Sequence, residues 1–156
     1  MSHYLGIDLE TFCAADLKLV GAHRYAEDPT FEIMLFGYAW DDDDPIVVDL
    51  TAGETIPKDV LEGLYHPEII KTGWNNPFER ACLHRYFGAD QPAAQWEDTM
   101  VLASICGLPL SLGDCGAALR LPADAAKDKD GKGLIRWFCK PVIFTPVTNA
   151  CKVSTC

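Results

Sequence analysis

Asp8 and Glu10 stand one residue apart in the stretch Ile7-Asp8-Leu9-Glu10-Thr11, near the start of a 156-residue chain. The run HYLGIDLE alternates, with Leu5, Ile7 and Leu9 on one side and Gly6, Asp8 and Glu10 on the other. That period is a strand's, and side chains two apart on a strand share a face. If the strand is central, its two carboxylates form part of a donor set for a hard cation. If it lies at a solvated edge, they are ordinary surface acids. D-x-E is short and common, so these two residues alone favour the second reading.

A second group lies in GWNNPFER, residues 73–80. Asn76 suits a helix N-cap, Pro77 suits the first helical position, and Glu79 falls where a capping-box acid belongs. The same geometry permits a different use. A short strand would deliver the chain to a helix whose first turn carries Glu79. Beside the first strand, Glu79 would face Asp8 and Glu10, and Asn75 would bond a substrate or brace the helix start. Three converging acids repel one another unless a cation lies among them. Carboxylate oxygens with open positions suit Mg²⁺ or Mn²⁺. Two such ions about 4 Å apart can hydrolyse a phosphodiester, one activating water and the other steadying the leaving oxygen.

The elements that must position these residues are legible in outline. FEIMLFGYAW (31–40) and PIVVDL (45–50) read as strands joined by Asp41 to Asp44, an acid run that reads as a solvated hairpin turn. With the first strand they make an antiparallel meander. PKDVLEGLY (57–65) reads as a short helix from Pro57, and EIIKTGW (68–74) as a strand. NPFERACLHRYF (76–87) reads as a helix closed by Gly88, and EDTMVLASICGL (97–108) as a helix starting near Asp98. LGDCGAALRL (112–121) and GKGLIRWFCK (131–140) read as helices weakened by glycine. The last stretch, VIFTPVTNACKVSTC, reads as extended chain or a loose tail. A meander followed by alternating helix and strand is an α/β pattern with a mixed sheet and flanking helices. Its order resembles the ribonuclease H-like architecture, with later strands added parallel to the first.

Composition bounds the function. The chain suits one domain, and its 49% hydrophobic content can build a core. Net charge is -10 and uneven: residues 1–126 hold 7 Lys+Arg against 21 Asp+Glu, whereas residues 127–156 hold 6 against 2. An acidic body is a poor binder of polyanions by itself. The seven cysteines include no C-x-x-C pair and read as reduced thiols of a cytoplasmic protein. Cys82-Leu83-His84 could be half a zinc site, but no second half has the spacing. No apolar run suits a membrane span, and the first ten residues show no secretory signal.

IDLET, then NNPFE, then WEDTMVLASICGLPLSL, taken in order, resemble the 3′–5′ proofreading exonuclease domain of family A DNA polymerases. The form in phage and prophage polymerases is the most similar, through DLKLVGAHRYAEDPTFEIMLFGYAW and GKGLIRWFCKP as well, and the likeness spans residues 4 to about 141. The resemblance implies a DEDD-type two-metal site for Mg²⁺ or Mn²⁺. Asp8, Glu10 and Glu79 would be its catalytic metal ligands. Thr11, Asn75 and Phe78 would lie against the nucleic acid, and Asp98 and Thr99 would support the structure. Glu79 stands where Asp is usual, and Trp74 where His often precedes the Asn.

The family's third motif, Tyr or His followed four residues later by Asp, has no counterpart in the expected place. No Tyr follows Tyr86, no His follows His84, and no acid follows Asp130. The expectation is a truncated exonuclease-like domain over 1–141 with an atypical tail over 142–156, and no polymerase domain. It would act on the single-stranded 3′ end of DNA, weakly or not at all. Two alternatives are a catalytically dead remnant serving as a binding or assembly module, and a plain α/β domain with capping and surface acids.

Overall fold

The structure, a computed structural model, describes residues 3–121. Five strands form one mixed sheet in the order β3-β2-β1-β4-β5. They are β1 (His3–Phe12), β2 (Glu32–Trp40), β3 (Ile46–Asp49), β4 (Ile69–Gly73) and β5 (Trp96–Asp98). The first three pair antiparallel, as the meander requires. β4 joins β1 in parallel, and β5 joins β4 in parallel. β1 is therefore central, the condition under which its acids differ from edge acids. The helices expected over 131–140 and the tail over 142–156 lie outside the described residues.

Alternation along β1 decides which face builds the core. Leu5, Ile7 and Leu9 are buried, and Phe36, Tyr38 and Val48 join them from β2 and β3. Helix α2 (Lys58–Tyr65) contributes Val60 and Leu64, and α3 (Pro77–Phe87) contributes Ala81, Cys82 and Leu83. Gly63 lets α2 approach, since a Cβ there would clash with the Trp40 ring. Gly88, in the left-handed region at φ 66°, closes α3 as its position suggested.

Two elements depart from the sequence reading. Helix α1 (Leu17–Glu27) lies between β1 and β2, in a stretch whose sequence pattern predicts no element. It is interrupted at Gly21 (φ 78°), and only Tyr25 and Ala26 are buried, so it carries little apolar period. Asp16 starts it by accepting from the Lys18 N–H. The helix expected over 97–108 is instead the strand β5 followed by α4 (Thr99–Ile105), with Asp98 as N-cap. Helix α5 (Leu112–Ala118) follows, capped by Ser111. Asp41 fixes the hairpin turn: its carboxylate accepts from the Tyr4 N–H at 2.8 Å and contacts the His3 ring at 2.9 Å.

Among the described residues no helix is long and apolar enough to cross a membrane. Cys13, Cys82, Cys106 and Cys115 are free thiols. Burial, reinforced by the nearby Glu79 charge, pushes the Cys82 thiol up to about 12, so it stays protonated at neutral pH.

Candidate active site

The parallel strands β1, β4 and β5 run side by side, so their C-terminal ends open on one edge. Ligand sites in α/β sheets concentrate there. Asp8 lies toward that end of β1, beside an open cleft of ≈ 300 Å³ whose lining includes Gly6, Gly37, Tyr38, Thr72 and Thr99. Small residues keep this face of the sheet low. A Cβ on Gly37 would come within 3.3 Å of the Asp8 carbonyl oxygen. Asp8 is exposed and Glu10 is half-buried on the same face of β1.

Glu79 reaches the same edge from the first turn of α3. It is only 4% exposed, and its Oε2 is buried with no hydrogen-bond partner. Its carboxyl is pushed up to about 7, first by burial and then by the charges of Asp8 and Asp98. A hydrogen bond from its own backbone N–H offsets part of that rise. Asn76 occupies the N-cap of α3, but with helical φ and ψ and no side-chain cap bond. Its Nδ2 is buried without a partner. The capping-box geometry is thus not made by the Asn76 side chain, and Glu79 lies inside, near Asp8, not out in solvent. Gly73 makes room for this: a Cβ there would lie 3.2 Å from the Ile7 carbonyl oxygen and 3.9 Å from Glu79 Oε2.

The remaining predicted residues divide. Asn75 is exposed at φ 64°, and its N–H donates to Asp98 Oδ1 at 3.0 Å. Thr11 is buried, its hydroxyl 3.0 Å from the Tyr25 hydroxyl. Phe78 packs on the same Tyr25, with ring centroids 5.9 Å apart. Tyr25 therefore joins the first and second motifs from behind. It escaped the sequence reading because its helix did.

The donor set fits a divalent cation in kind. Asp8, Glu10 and Glu79 offer hard oxygens, and an orphaned buried carboxylate oxygen is relieved by a cation or a proton. Among the described residues no three His, Cys, Asp or Glu side chains already form a cluster that could hold an ion.

No family model matches the chain. A DNA polymerase of Bacillus phage SP02 is 46% identical over 140 residues, covering 88% of this chain. The chain is thus similar to one part of that polymerase. It spans 21% of that polymerase's length. Solved structures share the fold. Brucella melitensis NrnC with bound Mg²⁺ superposes with TM-score 0.57 at 17% identity, over 81% of this chain and 56% of that one. The same protein bound to pGG gives TM-score 0.57 at 18% identity, over 81% of this chain and 55% of that one. Escherichia coli RNase D, an exoribonuclease involved in structured RNA processing, gives 0.52 at 18% identity, over 83% of this chain and 30% of that one. The fold is thus the ribonuclease H-like fold, a mixed five-stranded sheet with flanking helices, shared with these structures.

Proposed function

We propose that the chain is a metal-dependent 3′–5′ exonuclease domain acting on single-stranded DNA 3′ ends. The observation that carries this reading is Glu79: a buried carboxylate with an unpartnered oxygen beside Asp8, at the open end of the parallel strands. Asp8, Glu10 and Glu79 would hold Mg²⁺ or Mn²⁺. When bound, the ion supplies Lewis-acid activation of water and of the scissile phosphate. Asn75, exposed at the rim, would bond the terminal nucleotide. Phe78 and Thr11 would shape the wall behind it through Tyr25. The acidic body requires that phosphate be drawn in by the ion, so binding to DNA should be weak and salt-dependent, favouring the basic residues 127–152.

Residues 87–156 contain no Tyr or His, and a site working without a water-orienting group is commonly slower by a factor of about 10². The reading therefore predicts slow cleavage. The test is digestion of 5′-labelled single-stranded DNA with Mg²⁺ or Mn²⁺. The expected result is a faint ladder from the 3′ end, strongest with Mn²⁺ and abolished by Asp8→Ala. Cleavage indifferent to Asp8→Ala would overturn the placement of the site. DNA binding with no cleavage under either ion would favour an assembly module instead.

A further inference from the structure

Asp98 does more than an N-cap needs. A cap is complete when one side-chain oxygen accepts from the first turn of its helix. Asp98 Oδ1 does this for the Met100 N–H at 2.9 Å. The same oxygen also accepts from the Asn75 N–H at 3.0 Å, a bond across 23 positions of chain. The next residue repeats the pattern: Thr99 Oγ1 donates to the Gly73 carbonyl at 3.0 Å. Residues 98 and 99 thus grip residues 75 and 73, on either side of Trp74. Between those grips the chain turns from β4 into α3, with Asn75 at φ 64°, a conformation that few residues other than glycine hold readily. A carboxylate acceptor suits the purpose, because N–H bonds to a charged oxygen are the stronger kind.

We propose that Asp98 is a positioning residue of the candidate site, holding the β4–α3 turn in the one conformation that presents Asn75 outward and Glu79 inward. Thr99 is the second half of the same clamp. This rests on the exonuclease reading for its purpose, though not for its geometry. Asp98 touches no reacting atom and is not a metal ligand in this scheme. Its closeness to Glu79 is independently visible in the effect of its charge on that carboxyl.

The test uses the full chain and two amide protons. Asp98→Ser keeps a good N-cap for Met100. Its shorter hydroxyl cannot also span to Asn75. Hydrogen exchange at Asn75 should quicken about tenfold or more while Met100 changes little. Mn²⁺ affinity, read by paramagnetic broadening, should fall about tenfold, the usual effect of losing an outer support of a metal site. Asp98→Asn, which retains a carbonyl oxygen, should restore protection at Asn75. Thr99→Val, losing only its hydroxyl bond to Gly73, should weaken Mn²⁺ binding without moving Met100. Unchanged Asn75 exchange in Asp98→Ser would reduce Asp98 to a cap and overturn the clamp. Absence of any Mn²⁺ effect on the unsubstituted protein would instead overturn the exonuclease reading, leaving the Asn75 result to judge the geometry alone.

Discussion

Lys71 and Glu79 are both titratable, both almost fully buried, and only eight positions apart. Their surroundings differ. Lys71 Nζ donates to Gln95 Oε1 at 2.8 Å, to the Ile69 carbonyl at 3.1 Å and to the His66 carbonyl at 3.3 Å. Three donors meet three acceptors, and the network is closed. Glu79 keeps one oxygen with nothing to accept from, and two like charges lie nearby. A closed polar network serves the fold, whereas an open one imposes a cost that something outside the chain can relieve. The comparison separates a buried charge with a closed network from one left open, without reference to any relative.

The comparison breaks most visibly at Lys71. Lys71→Ala strips three acceptors of their donor and leaves a void in β4, so stability should fall by roughly 3 kcal/mol or more. Denaturant unfolding measures this, and a loss below about 1 kcal/mol would show the network to be dispensable.

Glu79→Gln should do the opposite at neutral pH. An unfolded Glu ionises near its ordinary value of 4.5, while the folded group ionises near 7. The folded state holds the proton longer, so this group's stabilising contribution is complete below pH 4.5 and is lost as pH rises to 7. That loss is at most about 3 kcal/mol. Glu79→Gln should erase this slope and raise Tm at pH 8. Mn²⁺ should stabilise the unsubstituted protein at pH 8 by about 2.7 kcal/mol at a hundredfold excess over Kd, and so raise its Tm. It should leave Glu79→Gln unmoved. Equal pH slopes in the two proteins would sink the idea.

Thr11→Val should cost about 1 kcal/mol, the net worth of its bond to Tyr25. The smallest effect is expected at the solvated pair Lys58–Glu62, 3.3 Å apart. Lys58→Ala should change stability by less than about 0.5 kcal/mol, the baseline for a charge in water.

The sequence made the site's strand legible because Leu5, Ile7 and Leu9 alternate with Gly6, Asp8 and Glu10 without a break. Helix α3 was legible through Pro77 and Gly88, which punctuate it. Helix α1 was not, because Gly21 interrupts it and only Tyr25 and Ala26 turn inward. β5 was hidden by brevity: three residues, Trp96 to Asp98, run directly into a helix. Asp8 and Glu10 could be paired from spacing alone. Placing Glu79 beside Asp8 needed the parallel pairing of β1 with β4, a long-range fact that no local pattern contains. Asp98 read as a helix start, which it is; its second bond belongs to tertiary structure.

The pairing of β1 with β2 is not uniform. Glu10 faces Leu35, but Thr11 faces Ile33, so Met34 is an extra residue on β2. Below that point every β2 side chain has exchanged faces relative to an even ladder. Ile33 thereby enters the core, at 5% exposure. Removing Met34 alone would leave Leu35 opposite Glu10 and Ile33 opposite Thr11 in an even ladder, so Ile33 would stay in the core and only the local kink would be lost. At this junction the chain should therefore bear the loss of one residue more easily than in the middle of β2, where a length change of one turns a buried row out to solvent.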